Sequence, residues 1–250
     1  MGTSKGYKLP AGGNWKPLKK QANSFVSGSS DASPSASQLL RSYVHANGGA
    51  SSFAKGGGPS GSGGAGGRAP ARSTGKRFAK FLSDFSTGGL AFALSEVGLQ
   101  DLIGKPAGDI SAALLDALAG PASTLDQHAA RQALNDVIDE SLVGADTYED
   151  VEAALARVIA EADLFRILAK FFGAYLYRRF CRDFYESWVA KVGAGEAALK
   201  LQAIKDCIES AVKSKLAGRE IKGVEWGKAE GTRLSEEVLR DVLDIFGVIS

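Results

Sequence analysis

The chain has 250 residues, 44% of them hydrophobic, with a formal net charge of +2 and 31 glycines gathered mainly in the first third. That length holds one large domain or two small ones, and the glycine bias makes the folded part shorter than the whole. Membrane-spanning helices are excluded: the most apolar stretch, Phe165 to Trp188, is interrupted by Arg166, Lys170, Arg178, Arg179 and Arg182. No charged segment followed by an apolar run opens the chain, so no secretory signal is expected. Cys181 and Cys207 lack CxxC spacing and are expected to be reduced thiols of a cytoplasmic protein.

The small net charge conceals an asymmetry. Residues 1–80 carry twelve Lys or Arg against one acid, Asp31, and the remainder of the chain is correspondingly acidic. The two parts therefore attract each other and attract different partners.

Residues 1–75 are expected to be a disordered, basic, Gly/Ser-rich arm, because they offer too little apolar surface to offset the entropy of ordering. Gly56 to Gly67 is nearly pure Gly and Ser and is expected to be a linker. Two islands interrupt this arm. Tyr7, Leu9, Trp15, Leu18 and Phe25 stand among lysines, and Leu39, Leu40, Tyr43 and Val44 follow at helical spacing. Such islands fold against a partner or pack back on the chain's own acidic domain, and composition leaves both destinations open.

Residues 76–250 are expected to form an all-helical domain, a multi-helix bundle with no alternating strand pattern. Helices are predicted near 76–85 and 90–102, separated by Gly88 and Gly89. A third covers 110–118 and is stopped by Gly120 and Pro121. Thr124 with Gln127 is a capping-box pattern that opens a helix to about Val143, and Thr147 caps the next, whose apolar face is Val151, Leu155, Val158 and Ile159. Leu164–Val192 is apolar on most sides and is expected to be the buried centre. Helices at 196–216 and 232–246 complete the bundle.

Catalytic patterns are scarce. His45 and His128 have no HExxH, CxxC or paired-acid context, so no metal site is expected. Cys181 has Arg178, Arg179 and Arg182 as sequence neighbours, but these spread around a helix, and a small core residue is the plainer reading. Arg72-Ser73-Thr74-Gly75-Lys76-Arg77 fails the phosphate-loop test, with Pro70 and Arg77 where Gly and Ser/Thr are required. No enzyme activity and no cofactor are expected. The basic arm also fits a nucleic-acid-binding adaptor, since dispersed cations neutralise phosphates without needing a fold. The opening Met1-Gly2 has a small second residue, so methionine removal would expose the α-amine of Gly2, which titrates just above neutrality and is partly the free nucleophile at pH 7.

The opening Met1-Gly2-Thr3-Ser4-Lys5-Gly6-Tyr7, the arm with Trp15-Lys16-Pro17-Leu18, and the aromatic central helix of an all-helical domain resemble QatB, a component of the bacterial Qat anti-phage defence system. The resemblance implies an accessory protein beside an ATPase, a QueC-like enzyme and a TatD-like nuclease. QueC-like proteins of related defence systems are similar to enzymes that join a deazaguanine base to a protein's N-terminal glycine. By that analogy Gly2 is the modification acceptor, and Thr3, Ser4, Tyr7, Trp15, Leu18 and Phe25 are the residues a partner would recognise.

Overall fold

A computed structural model describes residues 9–28, 33–54, 70–215 and 228–247. Among these the structure is helical: α1 (Trp15–Ser27), α2 (Ala36–Ala46), α3 (Gly49–Ala54), α4 (Pro70–Glu96), a single 3-10 turn (Gln100–Leu102), α5 (Ala107–Ala119), α6 (Leu125–Ser141), α7 (Tyr148–Glu161), α8 (Leu164–Val192), α9 (Ala194–Lys215) and α10 (Ala229–Asp244).

The expected central helix is present. α8 has 29 residues, about 43 Å at 1.5 Å per residue, and α1, α4, α6, α9 and α10 all pack on it. Its apolar residues leave no single wet face, so neighbours are needed on every side. Phe171, Phe172, Phe180, Phe184 and Trp188 are buried among them. α4 crosses α8 at Gly75, where an added Cβ would lie 2.8 Å from Phe172 Cζ. Only the missing side chain permits that approach.

Local signals set the helix ends. The expected capping box at Thr124 and the expected cap at Thr147 are both made, with Gln127 N–H donating to Thr124 Oγ1 at 3.1 Å and Asp150 N–H donating to Thr147 Oγ1 at 3.2 Å. The predicted break between residues 85 and 90 is present within α4, at Gly89, where φ is 76° and ψ −174°. Glu152 Oε1 of α7 accepts a hydrogen bond from Leu90 N–H at 3.2 Å, satisfying a donor that the break frees.

The expected arm needs correction. Its described residues include three helices, and α4 begins at Pro70 rather than near residue 76. Trp15, Leu18, Ala22 and Val26 of α1, and Leu39, Leu40, Tyr43 and Val44 of α2, are buried in the same core as α8. The physical reason lies in spacing. Glycine and serine dominate the average composition, but apolar residues recurring every three or four positions make a continuous stripe once the segment is helical. A capping box at Ser35 and Gln38 starts α2, a sequence signal that composition obscured. Of the two destinations open to the islands, α1 and α2 take the one inside the chain. The linker, Gly56 to Gly67, lies outside the described residues.

Candidate docking site at the amino-terminal helices

The residues expected to be recognised by a partner fall into three groups. Gly2, Thr3, Ser4 and Tyr7 lie outside the described residues. Trp15 and Leu18 are only 2% and 1% exposed, so they hold α1 in place instead of offering their side chains to a partner. Phe25 is half-buried, with its ring 5.7 Å from that of Trp188 and the Lys200 ammonium 5.7 Å from its centre.

The amino-terminal helices are locked to the bundle by buried charge that sequence reasoning missed. Tyr43 Oη donates to Asp183 Oδ2 at 2.6 Å, and Arg182 Nε donates to Asp183 Oδ1 at 2.8 Å. Arg182 Nη1 also donates to Asp126 Oδ1 of α6 at 2.7 Å. Arg179 reaches the other way: its Nη2 donates to Asn47 Oδ1 at 3.2 Å, and its guanidinium lies 4.1 Å from the centre of the Phe53 ring. Asn47 in turn donates to the Tyr43 carbonyl at 2.9 Å. Residues from α2, α3, α6 and α8 thus share one polar cluster.

Burial pushes the Tyr43 hydroxyl well above its ordinary range, and the adjacent Asp183 carboxylate adds to the shift. Tyr43 therefore stays protonated at neutral pH and serves as a donor. Asp183 has no exposed side-chain surface. A charge so placed is tolerable only while its partners remain, so the cluster penalises any arrangement of α2 that is nearly but not fully docked. Its chemistry is to clamp.

Other chemically interesting groups are placed for packing. Burial raises the Cys181 thiol to about 11, so it is overwhelmingly protonated at neutral pH, and both cysteines are free. A shallow groove beside His128 is lined by Arg131, Asn135, Asp136 and Arg178. Its two arginines already hold carboxylates, Arg178 with Asp136 and Arg131 with Asp116. Among the described residues no group of three or more His, Cys, Asp or Glu is arranged to hold a metal ion, and no helix is long and apolar enough to cross a membrane.

The outer side of α1 is different. Lys16 and Lys20 are exposed one turn apart, opposite the buried stripe, with half-buried Lys19 between them. Lys191 of α8 extends the strip by donating to the Asn23 carbonyl at 3.1 Å. Arg41 is exposed on neighbouring α2. No Asp or Glu occurs among the described residues of 9–54, and Lys16, Lys20 and Arg41 have no ion pair among the described residues.

The described residues thus form a helical bundle whose amino-terminal helices are clamped by a buried polar cluster and carry a cationic face on α1. The family model described as Qat anti-phage system associated protein QatB matches residues 60–246, which include the whole of α4 to α10. The chain belongs to the QatB family. Helices α1 to α3 precede the matched residues. Comparison with curated proteins and with solved structures found no match.

Proposed function

We propose that this protein is a non-enzymatic accessory subunit of the Qat system that binds the system's QueC-like enzyme and presents Gly2 to it as the modification substrate. Family membership supports a role beside other Qat components. The observation that carries the finer reading is the anchoring of the chain just downstream of Gly2. Leu9 packs on the core and its carbonyl accepts from Lys19 Nζ at 3.5 Å, while Trp15 pins the start of α1. A substrate segment that must enter an enzyme pocket benefits from a fixed base, because a short tether raises the local concentration of its end. Intact-mass measurement after co-expression with the QueC-like enzyme tests this. A mass addition confined to the Gly2 end is expected, and an unmodified terminus beside a demonstrably active enzyme would sink the reading.

A second reading, a nucleic-acid-binding adaptor, is favoured by the cationic face of α1 and α2. Deleting residues 1–75 is the wrong test of it, because that cut removes core helices. Charge reversal at Lys16, Lys20 and Arg41 leaves the core intact, and loss of a steep salt dependence of RNA or DNA binding would favour this reading.

A further inference from the structure

Two features of the amino-terminal lobe lie side by side: the point at which the chain leads back toward Gly2, and the lysine face of α1. Lys19 takes part in both, since it sits on that face and its Nζ donates to the Leu9 carbonyl. Gly2 and Leu9 are separated by seven residue steps, which span at most about 25 Å when fully extended. An enzyme that acts on Gly2 must therefore place its pocket within about that distance of Leu9. A protein docked so close overlies the outer surface of α1.

That surface is cationic. Trp15, Leu18, Ala22 and Val26 face inward, which turns Lys16, Lys20 and Asn23 outward. Lys191 prolongs the strip onto α8, and Arg41 stands on the adjoining helix. Elsewhere in the molecule some cations are matched, as in the Lys170–Glu140 and Lys200–Glu196 pairs. Here no carboxylate of the described residues answers them. The cost of desolvating these cations is repaid only by a partner that brings the opposite charge.

We propose that the lysine face of α1, extended by Lys191 and Arg41, is the docking surface for an acidic rim around the pocket of the enzyme that modifies Gly2. This rests on the reading of Gly2 as acceptor. The face orients the enzyme so that its pocket opens toward Leu9, and it accelerates encounter through long-range attraction. Nucleic acid fits the face less well. The outward residues Lys16, Pro17, Lys20 and Asn23 include no aromatic ring on which a base could stack, and a few phosphate contacts alone bind weakly and without specificity.

The test uses the full chain and the QueC-like protein of the same system. Binding is measured at low and high salt, and the mass at the Gly2 end is followed in parallel, for the wild type, K16E/K20E, R41E, and a control, D146K, on an exposed acid away from this face. The proposal expects K16E/K20E to weaken low-salt binding by about tenfold or more and to flatten its salt dependence, with a smaller loss for R41E and none for D146K. Mass addition should slow in step. Thermal melting of K16E/K20E should match the wild type, because both side chains are exposed. The proposal is overturned if the wild type is bound and modified while K16E/K20E binds the enzyme equally well. It is also overturned if the reversal abolishes RNA or DNA binding and spares the enzyme, or if the wild type does not bind the enzyme. Binding through the lysine face without any mass addition would support the docking surface and remove the Gly2 reading instead.

Discussion

The Tyr43 hydroxyl lies 2.6 Å from Asp183 Oδ2, joining residues 140 positions apart and holding α2 against the middle of α8. The pair is part of a buried cluster in which Asp183 also accepts from Arg182, and Arg182 and Arg179 both approach Asp126. Two substitutions separate the contributions. Y43F removes one charge-assisted donor while Arg182 still neutralises Asp183, and should cost about 1.5–3 kcal/mol. D183A strips both Tyr43 and Arg182 of a partner and should cost about 3–5 kcal/mol. Urea unfolding of both variants measures this, and a D183A loss no larger than that of Y43F would contradict the clamp.

The same hydroxyl gives an alkaline signature. Its folded-state titration lies well above the ordinary value of 10.0 because of burial and then Asp183. The stabilisation is therefore fully present below pH 10.0, where the unfolded chain still keeps its phenol proton, and is lost as pH rises toward the folded value. Each such group contributes a slope of up to about 1.4 kcal/mol per pH unit. Tyr175 and Tyr177 are also raised by burial, so the wild type should lose stability steeply above pH 10.0 and Y43F less steeply, by up to one proton. Urea midpoints between about pH 8 and 11 read this difference.

Gly75 marks where α4 touches α8. An added methyl would stand 2.8 Å from Phe172 Cζ and 3.2 Å from Phe171 Cε1, both inside the core. Gly75→Ala should therefore destabilise by about 1–3 kcal/mol despite its better helix propensity. Combining it with Phe172→Leu should recover part of that loss, giving a coupling that a double-mutant cycle detects. Simple additivity of the two costs would show that the crossing is looser than these distances require.

Gly89 and Glu152 together make the bend in α4. The backbone at Gly89 occupies a region essentially reserved for glycine, and a Cβ there would meet Glu152 Oε1 at 2.9 Å. Gly89→Ala is expected to cost about 1–3 kcal/mol from the backbone alone. Glu152→Ala removes the acceptor for Leu90 N–H and should cost about 0.5–2 kcal/mol, in the range of a lost helix cap. Hydrogen exchange at Leu90 should quicken in Glu152→Ala if the carboxylate protects it.

Cys181 offers a readout of local opening. Its thiol is raised to about 11 by burial, so reaction with a thiol reagent at pH 7.5 should be slow in the folded protein and should accelerate sharply in urea. Rapid native-state labelling of Cys181 would mean that the packing between α8 and its neighbours opens far more often than this degree of burial implies.

By itself, the sequence determined the helical class, the position of the central helix and most of the helix ends after residue 100. These follow from local physics: an aromatic segment without a polar face has to be enclosed, Thr124 and Thr147 cap with residues three positions on, and Gly120 stops a helix at the chain position where it occurs. The opening residues and the aromatic helix also carried the family resemblance that the match over residues 60–246 establishes. Tertiary structure alone decided what α1 and α2 pack against. Periodicity shows that Trp15, Leu18 and Leu39 form a buried stripe, but the same stripe serves a partner protein or the chain itself. That choice depends on Tyr43 meeting Asp183 and on Asn47 meeting Arg179, contacts between residues too distant in sequence for any local pattern to record. Once packing buries one side of α1, its lysines are turned outward as a face that no carboxylate of the described residues pairs, and the candidate site emerges from the packing.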